Sequence, residues 1–203
     1  MQIELLEQKG FTANCYIIKN KNFTAVIDPG IYYEKAVLEL KKADNAYILL
    51  THCHFDHILG VKKIKEETNA TIFISEPDKD GLKDSRLSLA SEVRQAQHSV
   101  EADELIYNNT LIPFYDTDIK VISTPGHTKG SVCFLIKDKL FSGDTLFSGS
   151  IGRTDFPTGN YGEIKESLKK LLKLNENIVV YPGHGEATTI KDEKNFNPFL
   201  KDL

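Results

Sequence analysis

Short apolar runs recur along the chain, most of them five to seven residues long, bounded by turn residues and separated by Lys- and Glu-rich stretches. "MQIELLE", "NCYIIKN", "FTAVIDPG", "AYILLT", "TIFIS", "IKVISTPG", "VCFLIKD", "KLFSGD" and "NIVVYPG" read as β-strands running into turns. "YEKAVLELKKA", "ILGVKKIKEET" and "YGEIKESLKKLLKL" instead carry apolar residues at three- and four-residue spacing, with Lys and Glu on the opposite face, and predict helices. Strands in excess with helices interspersed predict an α/β (α+β) fold of sheets covered by helices. Residues 76 to 110 are polar and only weakly periodic, which predicts short helices or a mobile flap. No repeat, low-complexity tract or linker divides the sequence, so residues 1–203 are expected to form a single domain.

Histidine and aspartate stand at the ends of these apolar runs. "AYILL" leads into "THCHFDH", "IKVIST" into "PGH", "KLFSG" into Asp144 and "NIVVYP" into "GH". Loops held by a rigid sheet are where a fold places ligands accurately. The residues so delivered are His52, His54, Asp56, His57, His127, Asp144 and His184, five imidazoles and two carboxylates. Imidazole with carboxylate suits zinc, and also iron or manganese, and the lack of cysteine in the set argues against a purely structural thiolate site. Seven protein ligands exceed what one tetrahedral ion takes, but they fit two divalent ions that share a bridging carboxylate and keep a position open for water. A lone histidine after a strand is more often a capping or solvated residue, so His127 or His184 alone carries little. Three histidines and an aspartate within six positions are different, having little packing use. His98 matches no motif and reads as a surface residue.

Composition narrows the function class. The 203 residues have a formal net charge of −4, which favours neither nucleic acid nor an anionic membrane as partner. Three cysteines without close spacing give no disulfide framework; Cys53 should point away from the neighbouring ligands, and Cys15 and Cys133 read as strand-packing residues. The start of the chain has no signal-peptide pattern and no run approaches membrane-spanning length, so a cytoplasmic location is expected. Oligomeric state leaves no signature.

"THCHFDH", "TPGHTKGS", "GDTLF" and "YPGHG", in that order, resemble the metallo-β-lactamase-fold hydrolases. The resemblance is nearest to short, single-domain members of the hydroxyacylglutathione hydrolase (glyoxalase II) branch and runs from "NCYII" and "VIDPG" through "GDTLFSGSIGRTDFPTG" to "YPGHG". It implies an αββα sandwich and a dinuclear, metal-dependent hydrolase acting on a small-molecule thioester. By motif, His52, His54 and His127 would hold one ion, Asp56, His57 and His184 the other, and Asp144 would bridge them. Asp56 would also orient the nucleophile or take up its proton as the catalytic residue, Arg153 would contact substrate or equally pair with a nearby carboxylate such as Asp155, and Asp28 would support the site. A bridging aspartate at position 144, where antibiotic-hydrolysing members commonly have cysteine or no protein bridge, disfavours β-lactam hydrolysis. Hydrolysis of a lactone or other ester, or a persulfide dioxygenase using one iron on His52 or His54 with His127 and Asp144, are the alternative activities. A non-enzymatic metal clamp would need no such excess of ligands.

Overall fold

A computed structural model describes residues 1–6, 12–201 and 203. Glu7, the last residue of the first expected strand, lies outside them. The chain divides into two compact units, Met1–Ile106 with Phe114–Asp116, and Tyr107–Pro113 with Thr117–Leu203.

The first unit contains strands β1 (Gln2–Leu6), β2 (Cys15–Asn20), β3 (Phe23–Ile27), β4 (Asn45–Leu49), β5 (Thr71–Ser75) and β6 (Glu104–Ile106), hydrogen-bonded in that order. β1, β2 and β3 run antiparallel, whereas β3 to β6 are parallel neighbours. A strand covered on both faces reads as a nearly continuous apolar run, as in β3, where Thr24 to Ile27 are all buried. The crossovers include helices α1 (Glu34–Lys41), α2 (Phe55–Ile58) and α3 (Val61–Glu67). Ala36, Val37 and Leu40 of α1 and Val61 and Ile64 of α3 enter one core with Ile17, Val26, Ile48 and Ile72 of the strands.

The second unit contains β7 (Leu111–Phe114, whose last residue groups with the first unit), β8 (Thr117–Ser123), β9 (Val132–Ile136), β10 (Lys139–Gly143), the hairpin β11 (Leu146–Phe147) and β12 (Ser150–Ile151), α4 (Tyr161–Leu171), β13 (Val179–Pro182), β14 (Thr188–Thr189) and α5 (Ile190–Phe196). Its main sheet has the order β14-β13-β10-β9-β8-β7. Asn160 caps α4, its side chain accepting the Glu163 N–H at 3.1 Å, and Ile164, Leu168 and Leu171 place one helix face in a core with Leu140, Val180 and Ile190. β8 and β10 each run antiparallel to β9, and β13 runs parallel to β10. The C-terminal ends of β8, β10 and β13 therefore leave the sheet at the same edge.

Two mixed sheets with helices satisfy the expected α/β (α+β) class. Three expectations change in detail. "ILGVKKIKEET" is split by a break at Leu59 and Gly60 into α2 and α3. Residues 76 to 110 contain a 3₁₀ helix over Glu76–Leu82, a run of turns, and β6. α5, whose buried positions are Ile190 and Glu193, has no counterpart among the expected helices, because a buried carboxylate hides its apolar face. Among the described residues no helix is long and apolar enough to cross a membrane.

Candidate metal centre

In the first unit the donors follow β4. His52 and His54 lie on the loop, His54 in extended conformation (φ −66, ψ 148) at the start of α2, and Asp56 and His57 occupy α2 itself. His52, His54 and His57 are buried. His52 Nε2 stands 3.1 Å from His54 Nδ1, and His57 Nε2 stands 3.6 Å from Asp56 Oδ2.

The tautomers follow from the hydrogen bonds behind the rings. Asp28, 1% exposed, accepts the Thr51 N–H at 2.8 Å on Oδ1, and on Oδ2 accepts the Thr51 hydroxyl at 2.6 Å and His57 Nδ1 at 2.9 Å. A carboxylate only accepts, so His57 carries a hydrogen on Nδ1, and in the neutral imidazole Nε2 is the lone-pair nitrogen. The Thr51 hydroxyl spends its hydrogen on Asp28, and therefore accepts from His52 Nδ1, 3.1 Å away. His52 Nε2 is thus also a lone-pair nitrogen. The carboxylate–histidine pair is the arrangement that orients metal-binding imidazoles.

In the second unit the donors occupy the common edge. His127 follows β8, Asp144 follows β10 and His184 follows β13. One oxygen, Asp144 Oδ2, lies 3.5 Å from His127 Nε2 and 3.6 Å from His184 Nε2. His127 Nδ1 lies 2.7 Å from the Arg153 carbonyl, which only accepts, so Nε2 is its lone-pair nitrogen as well. Gly152 permits that approach, because a Cβ there would fall 1.8 Å from the Asp144 carbonyl oxygen and 3.1 Å from His127 Nδ1.

Ligands about 2.0–2.1 Å from a tetrahedral ion stand roughly 3.3–3.4 Å from one another. The four donor pairs, 3.1 to 3.6 Å apart, bracket that separation. The lone pair of His52 Nε2 faces His54 Nδ1 at 3.1 Å, a spacing that a proton or a cation between the two nitrogens satisfies. The residues present fit a metal ion, and the chain holds groups of His and Asp donors at ligand spacing.

Arg153 forms the salt bridge to Asp155 that is one of its two expected roles. Its exposed guanidinium forms a two-pronged pair with Asp155, at 2.9 and 2.8 Å, and lies 4.2 Å from the Phe156 ring centre. The backbone carbonyl, which no sequence motif marks, is the group that meets a candidate ligand. Asp155 is held down to about 2 by this pairing. Phe156 and Phe147 stand edge-on to His127 and His184, with ring centres 6.3 and 6.1 Å apart respectively.

The three cysteines are buried and free, which excludes them as accessible nucleophiles. Burial pushes the Cys133 thiol up to about 11, and burial followed by the charge of Asp78 raises that of Cys53 well above its ordinary value. Iodoacetamide at pH 8 is therefore expected to leave all three unlabelled in the native protein and to label all three in urea. Mass spectrometry reads the outcome, and rapid native labelling of Cys53 would show its loop to be open.

A family model described as the metallo-beta-lactamase superfamily matches residues 9–184. The hydroxyacylglutathione hydrolase GloC of Haemophilus influenzae is 33% identical, with 98% of each chain covered. Among solved structures, BLEG-1 B3 metallo-beta-lactamase superposes with a TM-score of 0.91 at 32% identity, covering 98% of this chain and 100% of that one. TTHA1623 in a di-iron-bound form gives a TM-score of 0.85 at 30% identity, covering 97% and 100%. Fold, strand-end donors and these likenesses agree: the chain has the metallo-beta-lactamase fold and belongs to the metallo-beta-lactamase superfamily.

Proposed function

We propose that this metallo-hydrolase is a thioesterase of the hydroxyacylglutathione hydrolase type, built on two divalent ions. The observation that carries the reading is that Asp144 presents one oxygen to both His127 and His184, at 3.5 and 3.6 Å, which suits a carboxylate that would be shared between two ions. In this assignment His52, His54 and His127 hold one ion, Asp56, His57 and His184 hold the other, and Asp144 joins them. When bound, the ions supply a hydroxide near neutral pH and polarise the substrate carbonyl.

The chain's own residues do the rest. Asp28 and the Arg153 carbonyl keep His57 and His127 in the tautomer that offers Nε2. The Asp56 side chain, 14% exposed, reaches solvent and accepts the proton of the attacking water. The Arg153 guanidinium, 64% exposed and tied to an equally exposed Asp155, exchanges that partner for an anionic group of the substrate at little cost. A donor set of imidazole and carboxylate favours zinc, with iron and manganese accepted by the same groups. GloC supports the thioester; buried, unpaired cysteines accord with a reducing, cytoplasmic setting.

S-D-lactoylglutathione is expected to be hydrolysed by protein carrying about two ions per chain, with turnover lost in chelator and restored by added metal. Metal-loaded protein that hydrolyses no thioester rejects the proposal. The likeness to BLEG-1 favours a second reading, β-lactam hydrolysis, and nitrocefin turnover without thioester turnover would establish it. Oxygen uptake with a glutathione persulfide by iron-loaded protein, again without hydrolysis, would assign a dioxygenase.

A further inference from the structure

The stretch from Glu76 to Gln97 packs against the loop that carries His52 and His54. Asp78, only 3% exposed, accepts the Cys53 N–H on Oδ2 at 3.1 Å. Two residues on, the Phe55 N–H donates to the Ser88 carbonyl at 2.8 Å. The Cys53 side chain meets the same stretch, its thiol lying 3.9 Å from the Leu87 carbonyl. Gly81 faces it so closely that a Cβ there would fall 2.4 Å from Cys53 Sγ and 2.5 Å from its Cβ. Gly81 is held in turn by Gln97, whose Nε2 donates to the Gly81 carbonyl at 2.7 Å, and Ser88 donates to Gln97 Oε1.

Cys53 therefore turns towards Gly81 and Leu87, while the rings of His52 and His54 meet each other with centres 4.7 Å apart. The Cys53 peptide is the pivot between the two rings. The Cys53 N–H belongs to the peptide that carries the His52 Cα and the Phe55 N–H to the peptide that carries the His54 Cα, so the bonds to Asp78 and to the Ser88 carbonyl together hold both ends of the pair and the 3.1 Å separation of His52 Nε2 and His54 Nδ1. Two imidazoles bite one ion only if that separation is kept within about half an ångström. A buried carboxylate accepting a backbone N–H is a strong, directional bond in such surroundings.

We propose that Asp78 is a positioning residue for the His52–His54 chelate, acting through the Cys53 peptide, with Gly81 supplying the space into which Cys53 turns. The inference rests on the metal-binding reading of this loop and assigns a role to the weakly periodic stretch after β5. The bond through which Asp78 acts goes to the Cys53 backbone, so its effect is on how well two donors are presented.

The test uses the whole protein stripped of metal and titrated with zinc against a chromophoric chelator, with the visible spectrum of the cobalt(II) form as a second readout. Asp78→Ala is expected to weaken zinc binding by about 10–100-fold and to alter the cobalt spectrum. Asp78→Asn keeps an oxygen able to accept the Cys53 N–H, so affinity and spectrum are expected to stay near those of the wild type. Gly81→Ala displaces Cys53 from the side-chain end and is expected to alter the cobalt spectrum in the same direction as Asp78→Ala. A folded Asp78→Ala protein with wild-type affinity and spectrum overturns the proposal, as does Asp78→Asn losing as much affinity as Asp78→Ala. If Asp78→Ala fails to fold, Gly81→Ala and Asp78→Asn decide: an unchanged spectrum in the first, or lost affinity in the second, overturns it. Wild-type protein that takes up no zinc or cobalt removes the metal reading itself, whereas metal uptake that none of these variants alters removes only the role of Asp78.

Discussion

Asp56→Asn is expected to lower kcat/KM for a thioester by about 10³–10⁴-fold, roughly 4–5.5 kcal/mol of transition-state stabilisation, in a protein that still folds. Both roles proposed for this side chain need the carboxylate. A neutral amide has no comparable basicity towards the proton of the attacking water, and it offers an ion beside His57 a weaker ligand than an anionic oxygen. The fold does not depend on the charge, because the hydrogen bond from Ala13 N–H reaches the Asp56 backbone carbonyl, at 3.1 Å, and the substitution preserves volume. His54→Ala is expected to lose turnover as well, by removing one arm of the His52–His54 pair. Steady-state kinetics, metal content and thermal melting on the same preparations check both variants. Near-wild-type turnover in either, with metal bound, would reject the assignment of this loop as the catalytic centre.

The parts of the fold legible in the sequence are those whose physics is local. β3, β4 and β5 stand out as short apolar runs, which in β3 reflects cover on both faces, and α4 because Ile164, Leu168 and Leu171 repeat at helical spacing. Boundaries are less legible. "FTAVIDPG" looks like one strand into a turn, but pairing stops at Ile27, since Asp28 adopts a left-handed conformation (φ 52) that breaks the ladder. The stretch after β5 shows little periodicity because distant partners order it: Asp78 on Cys53, Gln97 on Gly81, Ser88 on Phe55. β11, β12 and β14 are two-residue strands, too short to leave a pattern. At the site the contrast is similar. Histidine and aspartate after apolar runs are conspicuous residue types, so every candidate donor could be marked, and "VIDPG" marked Asp28. Thr51 and the Arg153 carbonyl leave no such mark, since a hydroxyl beside a histidine and a backbone oxygen are features of every sequence. Their roles emerge only from what the folded chain brings behind the imidazoles.

Asp28 is where those hidden roles converge, and its replacement is expected to have large effects that separate folding from metal binding. Asp28→Ala leaves three buried donors, the Thr51 N–H, the Thr51 hydroxyl and His57 Nδ1, without their acceptor. Each costs about 1–3 kcal/mol, and alanine is also poorly suited to φ 52, so this variant is expected to lose several kcal/mol of stability. Asp28→Asn is the more informative change, because asparagine tolerates the left-handed backbone and keeps one accepting oxygen. Whichever way its amide turns, an NH₂ group then faces either the Thr51 N–H or the pair formed by the Thr51 hydroxyl and His57. In the second orientation His57 meets a donor, moves its hydrogen to Nε2, and gives up the lone pair directed to an ion, while the Thr51 hydroxyl no longer fixes the tautomer of His52. In the first, the Thr51 peptide is left unsatisfied immediately before His52. Both outcomes loosen the presentation of ligands, so zinc affinity is expected to fall by about 10–100-fold in a protein that melts within several degrees of the wild type. Zinc titration measures the affinity, and nitrogen NMR of the imidazoles reports the tautomers directly. Unchanged affinity with unchanged tautomers would reduce Asp28 to a turn residue and leave the His52 and His57 rings to be oriented by packing alone.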